Sequence, residues 1–224
     1  MEIKIASENS LILYFGKKID EDIATMVKKA YLCLKNLNLD GIYEIIPSYT
    51  SIFISYDIFK YDFSSISELL KESIDLEQEH HLEQNIITID VYYGTEVGLD
   101  LEDMSKKINL SIDEIINLHS QKLYDIYAIG FLPGFAYLAS VDEKIAMARL
   151  VTPRKQIPKG SVGIADTQTA VYPQNSPGGW NIIGRTAVQL FDKNLEKLSP
   201  FTMGDKVKFN PISKEQYLSQ GGTI

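Results

Sequence analysis

The chain has 224 residues, 45% of them hydrophobic and 10% aromatic, enough to bury a sizeable core as one large domain or two small ones. Its formal net charge is −8, and the acid is concentrated in the first part: Met1 to Gln84 carries a net −7 and Asn85 to Ile224 a net −1. Such a surface repels nucleic acid and anionic lipid, no apolar run approaches the roughly 18 residues of a membrane span, and the start MEIKIASENS lacks the layout of a signal peptide. The expectation is a cytoplasmic protein that binds neither nucleic acid nor membrane.

Short alternating runs at Ile3 to Ile5 and Leu11 to Phe15 bracket the turn-rich Ser7-Glu8-Asn9-Ser10 and predict a hairpin. A helix follows, with Ile23, Met26, Val27, Ala30, Tyr31, Leu34 and Leu37 at helical spacing, acids at its start and Lys35 near its end. The single cysteine, Cys33, lies within that pattern and suits a packing role. Ile42 to Ile46 and Ser51 to Tyr56 predict two strands, and Ser65-x-x-Glu68 predicts a capping box opening a second helix. The order ββαββα suits a small antiparallel sheet with two helices on one face.

The polar stretch Asp75 to Gln84 separates this unit from an apolar strand beginning at Ile86, which places domains at residues 1–84 and 85–224. His80 and His81 within it suit solvated linker positions, because no third ligand stands at a zinc spacing; no bound metal is expected. Beyond Ile86, Leu101, Met104 and Ile108 form a short apolar helical face, and Ser111-x-x-Glu114 caps another helix carrying Ile112, Ile115, Ile116 and His119. This pair superficially resembles a helix-turn-helix, but Asp113 and Glu114 make the second helix acidic and no Arg is present to reach a base. From Tyr127 on, frequent Gly and Pro punctuate short apolar runs, the pattern of a β-barrel or sandwich.

No Walker A loop, nucleophile elbow, dinucleotide fingerprint or zincin motif is present. Rigid Gly/Pro segments stand out instead: GFLPGFAYL from Gly130, TPRKQIPKGSVGIA from Thr152 and YPQNSPGGWNIIGRT from Tyr172. Phe131, Pro133, Phe135, Tyr137, Tyr172 and Trp180 can line a pocket or anchor an interface there, although tight barrel corners explain much of the Gly and Pro. Between Glu143 and Asp166 there is no acid, while Lys144, Arg149, Arg154, Lys155 and Lys159 are all present. With Arg185 this patch can hold a carboxylate or phosphate, and a solvated basic face is the equal alternative. Gly178 and Gly179 can let backbone N–H groups approach an anion. Gln168 and Ser176 are further polar candidates, with loop hydrogen bonding as their plainer role. His119, Arg154 and Gln168 are the candidates for catalysis, with a hydrogen-bonded packing role the stronger reading for His119.

The strings GFLPGFAYL, TPR, IPKGSVGIA, QTAVYP and SPGGWNIIGRT, together with FGKKID and GIYEIIPSYTSIFISYD in the first half, resemble the KipI or allophanate hydrolase subunit 1 family, read as the B subunit of 5-oxoprolinase. The resemblance implies an α+β protein: an N-terminal ferredoxin-like ββαββα domain followed by a C-terminal cyclophilin-like β-barrel. It implies action with a homologous, KipA-like C subunit and a separate A subunit, cleaving 5-oxoproline to glutamate with ATP and Mg consumed by the assembled complex. A small anionic substrate would suit the cationic patch. Where relatives read YGG-x-x-GPDL and IAG-x-QTGIYP, this chain has Tyr93, Leu99, Asp166 and Ala170. Two other roles go with the resemblance. One is inhibition of a sporulation-type histidine kinase through Pro133, Phe135 and Trp180; the other is membership of a complex that hydrolyses another amide or allophanate.

Overall fold

A computed structural model describes residues 1–18, 20–76 and 85–224, and the chain divides into two compact units, Met1–Glu83 and Gln84–Ile224. His80 and His81 lie outside the described residues. Among the described residues no helix is long and apolar enough to cross a membrane, and no group of three or more His, Cys, Asp or Glu could hold a metal ion.

The first unit runs β1 (Glu2–Ser7), β2 (Ser10–Tyr14), α1 (Glu21–Leu37), β3 (Ile42–Pro47), β4 (Ser51–Tyr56) and α2 (Phe63–Ser73). The strands form one antiparallel sheet in the order β1-β2-β4-β3. Leu11 pairs with Ile54 and Leu13 with Ile52, so period-2 alternation puts all four on one face, where they are fully buried. Val27, Ala30, Cys33 and Leu34 of α1 and Ile66 and Leu70 of α2 are among the buried helical residues of this unit's core. The Asp20 side chain accepts from Ile23 N at the start of α1, and Asn38 ends the helix in the left-handed conformation. At α2 the cap differs from the expected one. Asp62 is the N-cap and Ser65 stands at the third helical position: Asp62 accepts from Ser65 N, and Ser65 Oγ accepts from Asp62 N. The helix therefore starts three residues earlier, because an ionised Asp is as good an acceptor for the orphan N–H groups as the Ser that follows it.

The second unit runs β5 (Ile86–Val91), α3 (Leu101–Ile108), α4 (Ile112–Ser120), β6 (Leu123–Ile129), β7 (Ala136–Ala139), a single 3-10 turn (Glu143–Ile145), β8 (Arg154–Ile157), β9 (Ser161–Ala165), β10 (Gln168–Val171), β11 (Ser176–Gly178), β12 (Asn181–Arg185), β13 (Lys206–Pro211) and α5 (Lys214–Ser219). Seven strands form one sheet in the order β12-β9-β10-β7-β6-β13-β5, antiparallel throughout except for the parallel pair β13–β5. The two outer strands meet at their ends: Tyr92 and Arg185 exchange both backbone hydrogen bonds, each 2.9 Å. The sheet is thereby a nearly closed barrel, as a cyclophilin-like fold requires, and the edges that would otherwise offer unpaired backbone are joined.

Register separates the two faces of the wall. Val162, Ile164, Thr169 and Val171 share one face, and Ser161, Gly163, Ala165, Ala170, Ile182 and Arg185 the other. His119 of α4 touches Thr169 of β10, Tyr124 of β6 and Phe209 of β13, so the first face is the barrel interior. The second face is the outside of the wall. The two-stranded ribbon β8–β11 and the Gly130 to Phe135 loop supply the residues that pack on it.

At the closure point a side chain on Gly184 has no room, because its Cβ would fall 2.8 Å from the Tyr92 carbonyl oxygen and 2.9 Å from Val91 Cγ1. Gly184→Ala is expected to cost about 1–3 kcal/mol by overpacking a backbone that cannot retreat without opening the seam. Urea denaturation checks this; a change below about 0.5 kcal/mol would mean that the seam yields freely.

Candidate functional site

Three sequence-distant Gly/Pro segments converge on the outer face of β9, β10 and β12. Phe135, Ile157, Ala165, Ala170, Tyr172, Trp180 and Ile182 form one buried cluster, with Leu132 and Tyr137 packed against it. Phe135 is the hub: its ring centroid lies 4.8 Å from that of Tyr137, at 63°, and 5.4 Å from Tyr172, 5.4 Å from Phe131 and 5.7 Å from Trp180, these three near-perpendicular. Edge-to-face packing is the favoured arrangement for such rings, and it makes the cluster rigid. Gly178 seats it, since a Cβ there would fall 2.4 Å from the Tyr172 hydroxyl oxygen. Burial pushes the Tyr172 phenol up to about 12 and also raises Tyr137.

The rim differs from the hub. Phe131 is 60% exposed although its ring abuts Phe135, and its backbone is held at φ 71°, in the left-handed region uncommon for a bulky residue. Pro133 is exposed beside it on the same loop, which is closed by hydrogen bonds from Phe135 N to Leu132 O and from Gly130 N to Phe135 O. Gly179 accepts from Leu150 N through its carbonyl, tying the segment before β8 to the turn before Trp180.

The charges are arranged differently from the uniform patch suggested by the sequence. Arg154 Nη1 and Nη2 donate to the two carboxylate oxygens of Asp100, at 2.9 and 2.6 Å. Asp100, buried at the start of α3, also accepts from Ile182 N at 2.7 Å. Arg154 is thus answered by an acid 54 residues away and is not an unopposed cation. Arg185 is 7% exposed; its Nη1 donates to the Thr223 carbonyl at 3.1 Å and its Nε has no partner among the described residues. Lys144, Lys155 and Lys159 are exposed, and the backbone N–H of Lys159 is held by Asn175 Oδ1. Arg149 is also exposed, and its guanidinium lies over the Trp180 ring, 5.8 Å from the centroid.

The remaining candidates occupy other places. Gln168, half-buried, opens β10 between Ala139 and Ala165. Ser176 of β11 is buried, and its hydroxyl has no partner among the described residues. His119 is on the opposite side of the wall, inside the barrel and fully buried. Thr169 donates its hydroxyl proton to Gly163 O, so it accepts from His119 Nε2–H, which leaves Nδ1 to accept from the Tyr93 hydroxyl at 2.8 Å. Burial lowers the His119 pKa to about 3, so the ring is neutral and both nitrogens are occupied. Such a ring specifies packing and has no face toward a ligand on the outer wall. Sequence reasoning missed Asp100 as a site-building residue. Its only signal was an Asp standing just before an apolar helix, which reads as an ordinary cap, whereas its side chain makes no cap bond.

The nearly closed barrel carries a rigid aromatic patch on its outer wall, bordered by Arg149 and Arg154. The chain belongs to the family of the carboxyltransferase domain, subdomain C and D, whose model matches residues 1–201. Within it the chain is similar to the B subunit of 5-oxoprolinase from Bacillus subtilis (strain 168), 34% identical over 227 residues, covering 96% of this chain and 95% of that protein. The resemblance read from the Gly/Pro loops is therefore correct. The crystal structure of TTHA0988 is 29% identical, with a TM-score of 0.80 over 91% of this chain, which spans 40% of that one. The Kluyveromyces lactis urea amidolyase structure is 15% identical, with a TM-score of 0.74 over 97% of this chain and 15% of that one, and shows the shared fold.

Two measurements test this geometry. Asp100→Ala strands the Arg154 guanidinium and the Ile182 N–H together, and is expected to cost about 3 kcal/mol in urea denaturation. Adding Arg154→Met should recover part of that loss, whereas strict additivity would show that the pair is not coupled. His119 sets a pH dependence. Its folded pKa of about 3 lies below the ordinary 6.5, so the unfolded chain takes the proton first; stability is full above about pH 6.5 and falls toward pH 3. Between about pH 7 and about pH 5 the wild type should lose about 2 kcal/mol that His119→Gln does not lose. Equal pH slopes would contradict the buried neutral ring.

Proposed function

We propose that this chain is a subunit of an ATP-dependent hydrolase, specifically the B subunit of a 5-oxoprolinase that opens 5-oxo-L-proline to L-glutamate together with the A and C subunits. The observation that carries this reading is the 34% identity to a 5-oxoprolinase B subunit over 95% of that protein's length. The two sequences match over nearly the whole of each. The barrel's outer face supports the reading. A lactam is planar and apolar along one edge, which suits contact with Phe131 and Tyr137, and it carries a carboxylate, which suits an arginine rim.

A stable lactam needs activation before water can open it. In the reaction we envisage, the lactam oxygen attacks the γ-phosphorus of ATP and ADP leaves. Water then adds to the activated ring carbon, the ring C–N bond breaks as the nitrogen takes up a proton, and a second water hydrolyses the resulting γ-glutamyl phosphate to glutamate and phosphate. This chain's contribution would be binding and orientation, since it has neither a phosphate-binding loop nor a catalytic triad in its sequence, and the face in question is built of rings and arginines. The site would then be completed by residues of the partner subunits.

We also read the first unit as a ferredoxin-like domain over residues 1–84, and residues 85–224 as the barrel domain. The strand order β1-β2-β4-β3 supports this. β2, α1 and β3 form a split βαβ crossover with antiparallel β4 between the two parallel strands, and β1 takes the outer place beside β2.

Mixing the chain with the A and C subunits should yield ATP-dependent release of glutamate from 5-oxoproline, with no release when any one is omitted. The reading is overturned if all three are folded and present and neither glutamate nor ADP forms.

A further inference from the structure

Arg149 and Arg154 border the aromatic face and Arg185 lies farther along β12 opposite Ser161, and the three differ in what already answers each charge. Both guanidinium ends of Arg154 are engaged by Asp100, a buried carboxylate that also accepts from Ile182 N. Arg185 is buried, with the Thr223 carbonyl in hydrogen-bond contact. Arg149 alone of the three is exposed, and among the described residues no carboxylate lies within ion-pair distance of it.

Arg149 is nevertheless held in place. The Leu150 N–H to Gly179 O bond, at 2.7 Å, and the Asn181 Nδ2 to Ala148 O bond, at 2.9 Å, fix the backbone on either side of it. Its guanidinium rests over Trp180, and Trp180 packs on Phe135 and Tyr137. Arg149 also reaches the surroundings of the Tyr137 and Tyr172 phenols, where its charge opposes the effect of burial. The guanidinium carbon lies 5.8 Å from the Trp180 ring centroid, and among the described residues no protein acceptor takes its N–H groups, so the fork is open to a planar anion. This is a preorganised cation with an unspent fork among the described residues, close enough to half-buried Tyr137 for its charge to act on the phenol.

We infer that Arg149 is the oxyanion-binding residue of this face, holding a small anionic ligand through its free fork while Trp180 fixes the guanidinium from behind. Arg154, by the same reasoning, is a positioning residue: it ties β8 to the start of α3 and leaves the segment carrying Arg149 in register with the wall. The inference rests on the proposed substrate only for the identity of the ligand. The shared chemistry is an oxyanion, which either the 5-oxoproline carboxylate or an ATP phosphate can supply.

Trp180 is the single tryptophan of the chain, so it reports on this place directly. Purified full-length chain is titrated with 5-oxoproline, with its neutral carboxamide and with ATP, following intrinsic fluorescence. A saturable change with 5-oxoproline but not the carboxamide assigns the carboxylate; a change with ATP alone assigns a phosphate. In either case Arg149→Ala should weaken binding by about tenfold or more with an unchanged melting temperature, and Arg149→Lys should restore only part of it. In the reconstituted three-subunit complex the same variant should raise the KM of the assigned ligand and leave kcat within about threefold. The inference is overturned if the wild type responds to none of the three, or if Arg149→Ala responds as the wild type does. Because fluorescence does not need turnover, a saturable response in a complex that releases no glutamate would retain this site and discard the oxoprolinase reading.

Discussion

A buried carboxylate has to be answered, and the answer given to Asp100 organises the working side of the barrel. One side chain accepts from the Arg154 fork and from Ile182 N, so the start of α3, strand β12 and strand β8 are tied at a single point. Asp100 also takes part in a backbone exchange with β12, its own N–H donating to Ile182 O at 2.9 Å. Without that knot the β8–β11 ribbon would keep its apolar contacts and the Leu150 N–H to Gly179 O and Asn181 Nδ2 to Ala148 O bonds, but would lose its charged anchor to the wall. The pair is a device of geometry more than of net stabilisation, because removing two charges from water costs about as much as their attraction returns.

The nearly closed sheet then allots its two faces to different tasks. Inside, His119 is made neutral by burial and joined to Tyr93 and Thr169, so the polar groups that enter the barrel with α4 are satisfied and inert. Outside, the rings around Phe135 make a platform whose hub is inaccessible and whose rim, at Phe131 and Arg149, is not. A rigid hub with an exposed rim suits recognition of a small planar anion, since little conformational entropy remains to be lost on binding.

Much of the fold was legible because its signals are local. Period-2 alternation located β1 and β2, short apolar runs located β3, β4 and β5, helical periodicity located α1, and the Ser111/Glu114 box located α4 as found. The displaced start of α2 shows the limit of such signals, because Asp62 and Ser65 are both good cap residues and only the backbone shows which of them leads. The candidate site was legible as a set of segments and illegible as a set of roles. Gly/Pro spacing located the loops, but Phe135, Tyr172 and Trp180 turned out to be core, and Phe131 rim. The absence of acid between Glu143 and Asp166 suggested a uniform cationic patch, yet Asp100 neutralises Arg154 from outside that window. Pairing across 54 residues depends on which strands become neighbours, and no local pattern encodes it.

The central claim is that the outer wall of β9, β10 and β12, and not the barrel interior, meets the ligand. Hydrogen–deuterium exchange on the assembled complex, with and without 5-oxoproline and a non-hydrolysable ATP analogue, tests it most directly. The account predicts ligand-dependent protection in the segments around Phe131, Arg149 and Trp180, and no change in α4 around His119. Protection centred on α4, with the outer-wall segments unaltered, would contradict it.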